Sequence, residues 1–185
     1  MIVSEPELVA AVARDRAAGK TVAFANGCFD LLHVGHVRYL LGAAAEGDRL
    51  VVAVNDDRSV AGLKGEGRPI LPASDRAELV AALRGVDYVV VFGDPNVERL
   101  LLLLKPDVHC KGTDYTVESV PERSVVAGYG GRTAIVGDAK HHATREILAR
   151  VARTQDQERT HDQGPTRDLG RTEDRGPRTK DQTTR

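Results

Sequence analysis

Short apolar runs alternate along the chain with longer segments in which apolar positions recur at helical spacing. Almost wholly apolar, β-branched runs predict strands at residues 21–25, 49–55, 86–92, 107–111 and 132–136. Periodic segments bounded by capping residues, Pro or Gly predict helices at residues 4–18, 37–47, 74–84, 94–104, 121–128 and 143–153. Apolar strands separated by helices are typical of a parallel sheet that is covered on both faces. The pattern therefore predicts a Rossmann-like, doubly wound α/β fold with a five-stranded parallel sheet.

The composition changes after residue 153. In residues 154–185 Leu169 is the single aliphatic side chain, and the rest are mostly Thr, Arg, Asp, Gln and Gly. Such a segment cannot bury enough apolar surface to offset the entropy lost on ordering. We therefore expect one folded domain over residues 1–153 and a disordered, low-complexity tail over residues 154–185. The tail has no sustained run of one charge sign, which favours a plain solvated segment over a nucleic-acid-binding arm.

Charge and cysteine usage narrow the expected partners. The 185 residues have a formal net charge of −1, so no basic excess attracts nucleic acid or an anionic membrane. No run reaches the roughly 18 apolar residues of a membrane span, and Glu5 and Glu7 stand where a signal peptide would be basic. Cys28 and Cys110 lack metal-ligand spacing and are expected to be reduced, half-buried thiols. We expect a cytoplasmic protein with no membrane or nucleic-acid partner, and a homodimer is left open.

The candidate chemistry lies in residues 26–36, between the first predicted strand and the helix that follows it. Ligands of doubly wound sheets bind at the carboxyl ends of the strands, close to such a turn. His33 and His36 flank Gly35 at the predicted helix start, where free N–H groups and the helix dipole attract anions. The imidazoles add donors that can stabilise charge on a phosphoryl oxygen. A pair of buried structural histidines is the alternative, and zinc is disfavoured because no four-ligand set accompanies the pair.

Residues 27–36, together with Asn55-Asp56-Asp57, resemble the H-x-G-H nucleotidyltransferase superfamily in its cytidylyltransferase-like branch. The resemblance covers about residues 20–152 and is greatest to the heptose 1-phosphate adenylyltransferases of ADP-heptose biosynthesis. It is carried by further segments at residues 63–69, 75–76, 86–87, 111–115 and 129–131. It implies transfer of AMP from Mg-ATP to the anomeric phosphate of a D-glycero-D-manno-heptose, by direct in-line attack. In that family the transferase is often fused behind a sugar kinase. The 185 residues have no room for a kinase domain, so the resemblance implies that a separate polypeptide supplies the sugar 1-phosphate.

The resemblance also implies roles for individual residues. His33 and His36 would stabilise the pentacoordinate α-phosphate, and Lys64, expected on a glycine-rich loop, would close over the phosphates. Mg²⁺ would come with ATP, without a dedicated protein metal site. The nucleotide would contact Asn26, Gly27, Phe29, Asp30, Gly35, Arg76, Lys111, Asp114, His142, Thr144 and Arg145. The second substrate would contact Asn55, Arg68 and Tyr115.

Several of these residues also have an alternative interpretation without a role in substrate binding or catalysis. The loop of Lys64 could be an ordinary flexible connection, and Arg76 a solvated surface charge. Asp30 could orient a histidine, help to hold Mg²⁺, or cap the helix-entry turn. Lys111, Asp114 and Tyr115 follow the fourth predicted strand and could form a bare turn.

One departure from the family pattern lies near the last predicted helix. Relatives present a hydroxyl-rich run to the outer phosphates, whereas this chain has His141-His142-Ala143-Thr144-Arg145. Arg145 could replace the missing hydrogen bonds by charge.

Two other functions stay open: a cytidylyltransferase acting on an alcohol phosphate such as glycerol 3-phosphate or ethanolamine phosphate, and a catalytically silent nucleotide-binding module. Intact His33, His36 and Lys64 argue against the silent module.

Overall fold

The computed structural model describes residues 1–138, 148–149, 151 and 153–154. Met1–Leu148 form one compact unit, and Ala149–Arg185 are a second unit. The strands are β1 (Val22–Gly27), β2 (Arg49–Asn55), β3 (Tyr88–Phe92), β4 (Val108–Gly112) and β5 (Arg132–Val136). The helices of residues 1–138 are α1 (Glu5–Ala17), α2 (Val34–Ala44), α3 (Asp57–Lys64), α4 (Ala73–Ala81), α5 (Glu98–Leu104) and α6 (Arg123–Gly128), and a 3₁₀ turn covers Val117–Ser119.

The strands form one parallel sheet in the order β3-β2-β1-β4-β5. The chain builds outward from β1 to β3, then crosses back so that β4 lies on the other side of β1. The strand order therefore reverses between β1 and β4, and the doubly wound five-stranded fold predicted from the sequence is confirmed.

Both faces of the sheet are covered, as the apolar strands predict. Ala23 and Ala25 of β1 belong to a core shared with Leu40 of α2 and Val80 of α4. Phe24 alternates with them and enters the opposite core, which contains side chains of α1, α5 and α6 such as Leu8, Leu101 and Val126. Because successive strand residues point to opposite faces, a strand that is apolar throughout must be buried on both.

Helix α3 is a correction to the sequence prediction, which placed Lys64 on a flexible glycine-rich loop. Lys64 is the last residue of a helix of 8 residues. The Asp56 carboxylate accepts a hydrogen bond from the Ser59 N–H at 2.7 Å and so caps the helix. Gly65, with φ of 90°, ends it in a conformation that favours glycine. The glycine-rich segment therefore begins after the lysine.

Other predicted boundaries are close to those of the structure. The strands at residues 49–55 and 132–136 have the predicted bounds, whereas the helices predicted from residues 94 and 121 begin at Glu98 and Arg123. Of the last predicted helix, residues 143–153, the described positions 148, 149, 151 and 153 are helical. Residues 155–185 of the predicted tail lie outside the described residues. No helix in the described part of the chain is long and apolar enough to cross a membrane.

Candidate active site

The site is built around the loop that joins β1 to α2, at the point where the strand order reverses. Gly27 ends β1, Val34 begins α2, and His33 is the N-terminal cap of that helix in an extended conformation. Gly35 is therefore in the first turn of α2, where N–H groups have no partner within the helix. A Cβ atom on Gly27 would lie 3.2 Å from the ring of Phe29, so glycine allows the aromatic ring to pack over the strand end.

The two histidines form a stacked pair. Their ring centroids are 3.9 Å apart, with 23° between the planes. The His33 backbone N–H donates to Nδ1 of His36 at 3.4 Å, so the proton of the neutral His36 ring is on Nε2. The rings of His36 and buried Phe29 also meet in a T-shaped arrangement, with centroids 5.4 Å apart and 66° between the planes. The structure places both imidazoles at the start of α2, and their predicted action on a phosphate stays a prediction.

His36 is uncharged at neutral pH. Burial, then the neighbouring His33 and the ammonium of Lys64, lower the pKa of His36 to about 4. A neutral imidazole with its proton on Nε2 is a hydrogen-bond donor that brings no charge of its own to the ground state. Such a donor favours a state in which negative charge accumulates on a nearby oxygen.

Residues 28–36, which join β1 to the first turn of α2, are called the histidine loop. Lys64 is exposed and lies within electrostatic reach of this loop. Its ammonium acts on His36 and also lowers the pKa of the Cys28 thiol, although burial raises that pKa overall. Lys64 therefore lies near His36, at the end of a helix, and its predicted role at the phosphates stays a prediction.

Asp30 has contacts that the sequence did not anticipate. Its buried carboxylate accepts hydrogen bonds from the N–H groups of Ile70 at 2.9 Å and Leu71 at 3.3 Å, and pairs with Nε of Arg68 at 2.8 Å. Phe29 and Leu31 on either side have φ of 49° and 57°, in the left-handed region that non-glycine residues rarely adopt. Asp30 thus connects the strained loop between β1 and α2 to residues 68–71.

Arg76 is fully buried. The alternative that it is a solvated surface charge is therefore wrong. Its guanidinium donates to the backbone oxygens of Cys28 at 2.5 Å and Leu71 at 2.9 Å, and to the Asp57 carboxylate at 2.7 Å. The predicted contact with phosphate stays a prediction, since these bonds direct three of its donors to protein acceptors.

A buried polar network joins the carboxyl ends of β1 and β4. The side-chain oxygen of Asn26 meets Nζ of Lys111 at 3.1 Å and Nε2 of His109 at 3.2 Å. Lys111 is also paired with Glu122 at 3.3 Å, and both side chains are 9% exposed. The Lys111 ammonium lies 5.5 Å from the centre of the Tyr115 ring. The structure therefore gives Lys111 protein partners at the reversal point.

The other predicted site residues fall into three groups. Asn55 ends β2, is buried, and accepts a weak contact from the Cys28 thiol at 4.0 Å, which places it beside the histidine loop. Asp114 and Tyr115 are exposed and follow β4. His142, Thr144 and Arg145 lie outside the described residues.

The cytidylyltransferase-like family model matches residues 24–161. The bifunctional protein HldE of Alkalilimnicola ehrlichii is 45% identical over 155 residues, which are 84% of this chain and 32% of that protein. The HldE protein of Geobacter metallireducens is 45% identical over 151 residues, which are 82% and 31% of the two chains. The crystal structure of a lipopolysaccharide core biosynthesis protein from Thermoplasma volcanium superposes with a TM-score of 0.56 at 31% identity, covering 67% of this chain and 100% of the other.

The chain belongs to the cytidylyltransferase-like family. It spans about a third of the length of the curated relatives that it matches.

This membership of the cytidylyltransferase-like family accounts for the position of the site, because the histidine loop lies at the reversal of strand order where doubly wound sheets bind ligands. Sequence reasoning missed three residues that shape it: Asp57, His109 and Glu122. His109 carried a visible signal, since a histidine and a lysine two residues apart interrupt an otherwise apolar strand. Asp57 was visible only as part of the family-like segment Asn55-Asp56-Asp57, and Glu122 carried no signal, since acidic residues at helix starts are common on protein surfaces.

Within the described residues no group of three or more His, Cys, Asp and Glu side chains is arranged to hold a metal ion. The Asp30 carboxylate, the one acidic group in the histidine loop, is directed to Arg68 and two backbone N–H groups. A magnesium ion that arrived with a nucleotide would keep phosphate oxygens and water as its main ligands, which is the usual arrangement for this ion.

Proposed function

We propose that the chain transfers AMP from ATP to a sugar 1-phosphate, namely D-glycero-D-manno-heptose 1-phosphate, and releases pyrophosphate. The observation that carries the proposal is the stacked His33 and His36 pair at the start of α2, with a neutral Nε2–H donor on His36. The choice of a heptose phosphate rests on the sequence segments at residues 63–69 and 111–115, which resemble the heptose branch of the family.

In this reaction an oxygen of the sugar phosphate attacks the α-phosphorus of ATP. The new P–O bond forms as the bond to the β-phosphate oxygen breaks, and its electron pair leaves with pyrophosphate. The α-phosphate gains negative charge in the pentacoordinate state, which the imidazole donors and the N–H groups of the first turn of α2 stabilise. Lys64 supplies positive charge for the outer phosphates from the end of α3.

Arg68 is the residue best suited to the acceptor phosphate. Its Nε is paired with Asp30, while its buried Nη1 has no hydrogen-bond partner among the described residues. A buried donor without a partner costs stability, so an anionic ligand that accepts from Nη1 would remove that cost. The prediction that Arg68 contacts the second substrate is therefore retained in this proposal.

Magnesium enters as part of the nucleotide substrate and neutralises charge on the phosphates. The acceptor must be made by a reaction that phosphorylates a sugar at its anomeric carbon, and we propose that a sugar kinase supplies it.

The test is a matrix of substrates assayed for pyrophosphate release with Mg²⁺, with the nucleotide product identified by chromatography. ATP and CTP are each paired with heptose 1-phosphate, glycerol 3-phosphate and ethanolamine phosphate. We expect ADP-heptose from ATP and the heptose phosphate. Product from CTP and an alcohol phosphate alone would overturn the choice of substrates, and no product from any pair would overturn the proposed activity. The His36→Ala variant serves as the background control.

A further inference from the structure

Arg76 connects three segments of the site through one buried side chain. Its guanidinium donates to the backbone oxygen of Cys28 in the histidine loop, to the Asp57 carboxylate at the start of α3, and to the backbone oxygen of Leu71 in the loop before α4. The planar guanidinium holds its donors in fixed directions, so three acceptors bound to it are fixed relative to one another. Arg76 therefore sets the spacing between these segments.

Helix α3 has little apolar contact of its own, so this connection contributes to its attachment, beside the hydrogen bond that Asn55 donates to Ser59 at 3.2 Å. Val60 is its one buried residue, and the Asp57 side chain that reaches Arg76 is 52% exposed. Asp57 begins the helix and Lys64 ends it, about 10 Å apart at the rise of an α-helix. Asp57 and Lys64 thus lie at opposite ends of one short helix, which couples their positions.

The segment before α4 is held from both sides. The N–H of Leu71 donates to the Asp30 carboxylate, and its carbonyl accepts from Arg76. Asp30 lies between two residues in the left-handed region, a conformation that persists only when surrounding contacts enforce it. Asp30 and Arg76 thus hold the histidine loop and residues 68–71 as one unit, to which Asp57 attaches α3.

We propose that Arg76 and Asp57 are positioning residues, which fix α3 on the histidine loop so that Lys64 is held near the His33 and His36 pair. Neither residue contacts the nucleotide in this role. The inference rests on the proposed function, because it assigns Lys64 to the transferring phosphates.

Three roles for Arg76 and Asp57 give different kinetic results. A direct phosphate ligand would raise the KM for ATP when it is removed. A purely structural contact would lower the thermal midpoint and leave kcat unchanged at temperatures well below that midpoint. A positioning residue lowers kcat while the KM for ATP changes little, because a displacement of about 1 Å can reduce a rate by about 10²-fold.

The experiment is a double-mutant cycle of Asp57→Ala and Lys64→Ala in the full chain, assayed below the thermal midpoint of the weakest variant. We expect Asp57→Ala alone to lower kcat by about 10- to 100-fold, with the KM for ATP within about twofold of the parent. In the Lys64→Ala background the same change should cost no further activity, because there is no lysine left to position. Asp57→Asn, which retains an acceptor oxygen for Arg76, should recover part of kcat.

Arg76→Lys extends the test at the buried end. A single ammonium cannot reach three acceptors with the same geometry, so kcat should fall as in Asp57→Ala. Asp75→Asn is the matched control, since Asp75 is the exposed neighbour of Arg76 and contacts Ser74. It should keep the parental kcat.

Two outcomes separate the inference from the proposed function. If Lys64→Ala is slow while Asp57→Ala has parental kcat, or if the two losses multiply, the positioning role is wrong and the proposed function stands. If Lys64→Ala itself has parental kcat, the role of Lys64 in the proposed function fails, and with it the inference.

Discussion

The imidazole rings of His33 and His36 lie face to face, with their centroids 3.9 Å apart, at the first turn of α2. Two rings this close do not both carry a proton charge readily, and the pKa of His36 is lowered to about 4, chiefly by burial and then by His33 and Lys64. In the proposed function this pair donates hydrogen bonds to an oxygen on which negative charge develops.

Removal of either ring should be costly for turnover. We expect His33→Ala and His36→Ala each to lower kcat by about 10² to 10³ fold, the range for loss of one preorganised transition-state donor. Circular dichroism should show both variants folded, since the rings lie at the edge of the core. Parental kcat in either variant would remove that histidine from the mechanism.

The free energy of unfolding should decrease as the pH is lowered from 7 to 5, which is above the range in which most carboxylates titrate. Burial, then the charge of Lys111, lower the pKa of His109 to about 3, against 6.5 for an ordinary histidine. Between these values the unfolded chain binds a proton that the folded chain does not, so the free energy of unfolding decreases as pH falls through this window.

The effect of His109 from pH 7 to pH 5 is on the order of 2 kcal/mol. Urea unfolding at the two pH values measures it. His109→Gln, which can keep the hydrogen bond to Asn26, should show a smaller decrease than the parent. Equal decreases in the two proteins would mean that His109 does not cause the pH dependence.

Removing one charge of the buried pair of Lys111 and Glu122 should lower the free energy of unfolding more than replacing both charged residues. Glu122→Gln leaves the lysine with no anionic partner in a buried position, and we expect the free energy of unfolding to fall by about 3 kcal/mol. The double variant Lys111→Met with Glu122→Gln should lose less than Glu122→Gln alone, because no buried charge is left. Urea unfolding of the three proteins decides this, and a double variant less stable than Glu122→Gln would contradict it.

A prediction from the sequence concerns residues 143–145, which lie outside the described residues. If Arg145 replaces by charge the hydroxyl that Ala143 lacks, Arg145→Ala should raise the KM for ATP more than Thr144→Ala does. The comparison is made by steady-state kinetics, and Ala143→Ser should recover part of the loss. An Arg145→Ala enzyme with parental ATP dependence would exclude the compensation.

The composition of residues 154–185 also makes a prediction. A chain that ends at Arg153 should keep the kcat and the thermal midpoint of the parent, because the removed segment has too little apolar surface to stabilise the domain. Differential scanning calorimetry and the pyrophosphate assay measure the two quantities. A clear decrease in either would show that the tail contributes to the folded domain.

Helix α3 illustrates why the sequence prediction was incomplete. Its 8 residues bury Val60 alone, so it has no apolar stripe for a periodicity argument to detect. The capping signal was present in Asp56 and Ser59, but a cap indicates a helix start only when an apolar periodic segment follows. Because its apolar contact is small, polar contacts such as the Asp57 and Arg76 ion pair contribute to the attachment of α3.

The sequence by itself determined the parallel sheet, the helices that carry apolar stripes, and the histidine loop. Each of these depends on residues that are neighbours in the chain, such as the continuous apolar run at residues 49–55 or the two histidines at the start of α2. Local periodicity and helix-start chemistry are readable without knowledge of the rest of the fold.

Only the tertiary structure decided that Arg76 is buried and that Lys111 meets Asn26 and Glu122. Arginine and lysine are usually exposed, and their burial here depends on acceptors far away in the chain: Arg76 reaches Cys28 across 48 positions, and Lys111 reaches Asn26 across 85. These acceptors come within hydrogen-bond distance because the chain returns to β1 from both sides when the sheet forms. A buried cation is tolerated only where such partners converge, so its location follows from the topology of the sheet.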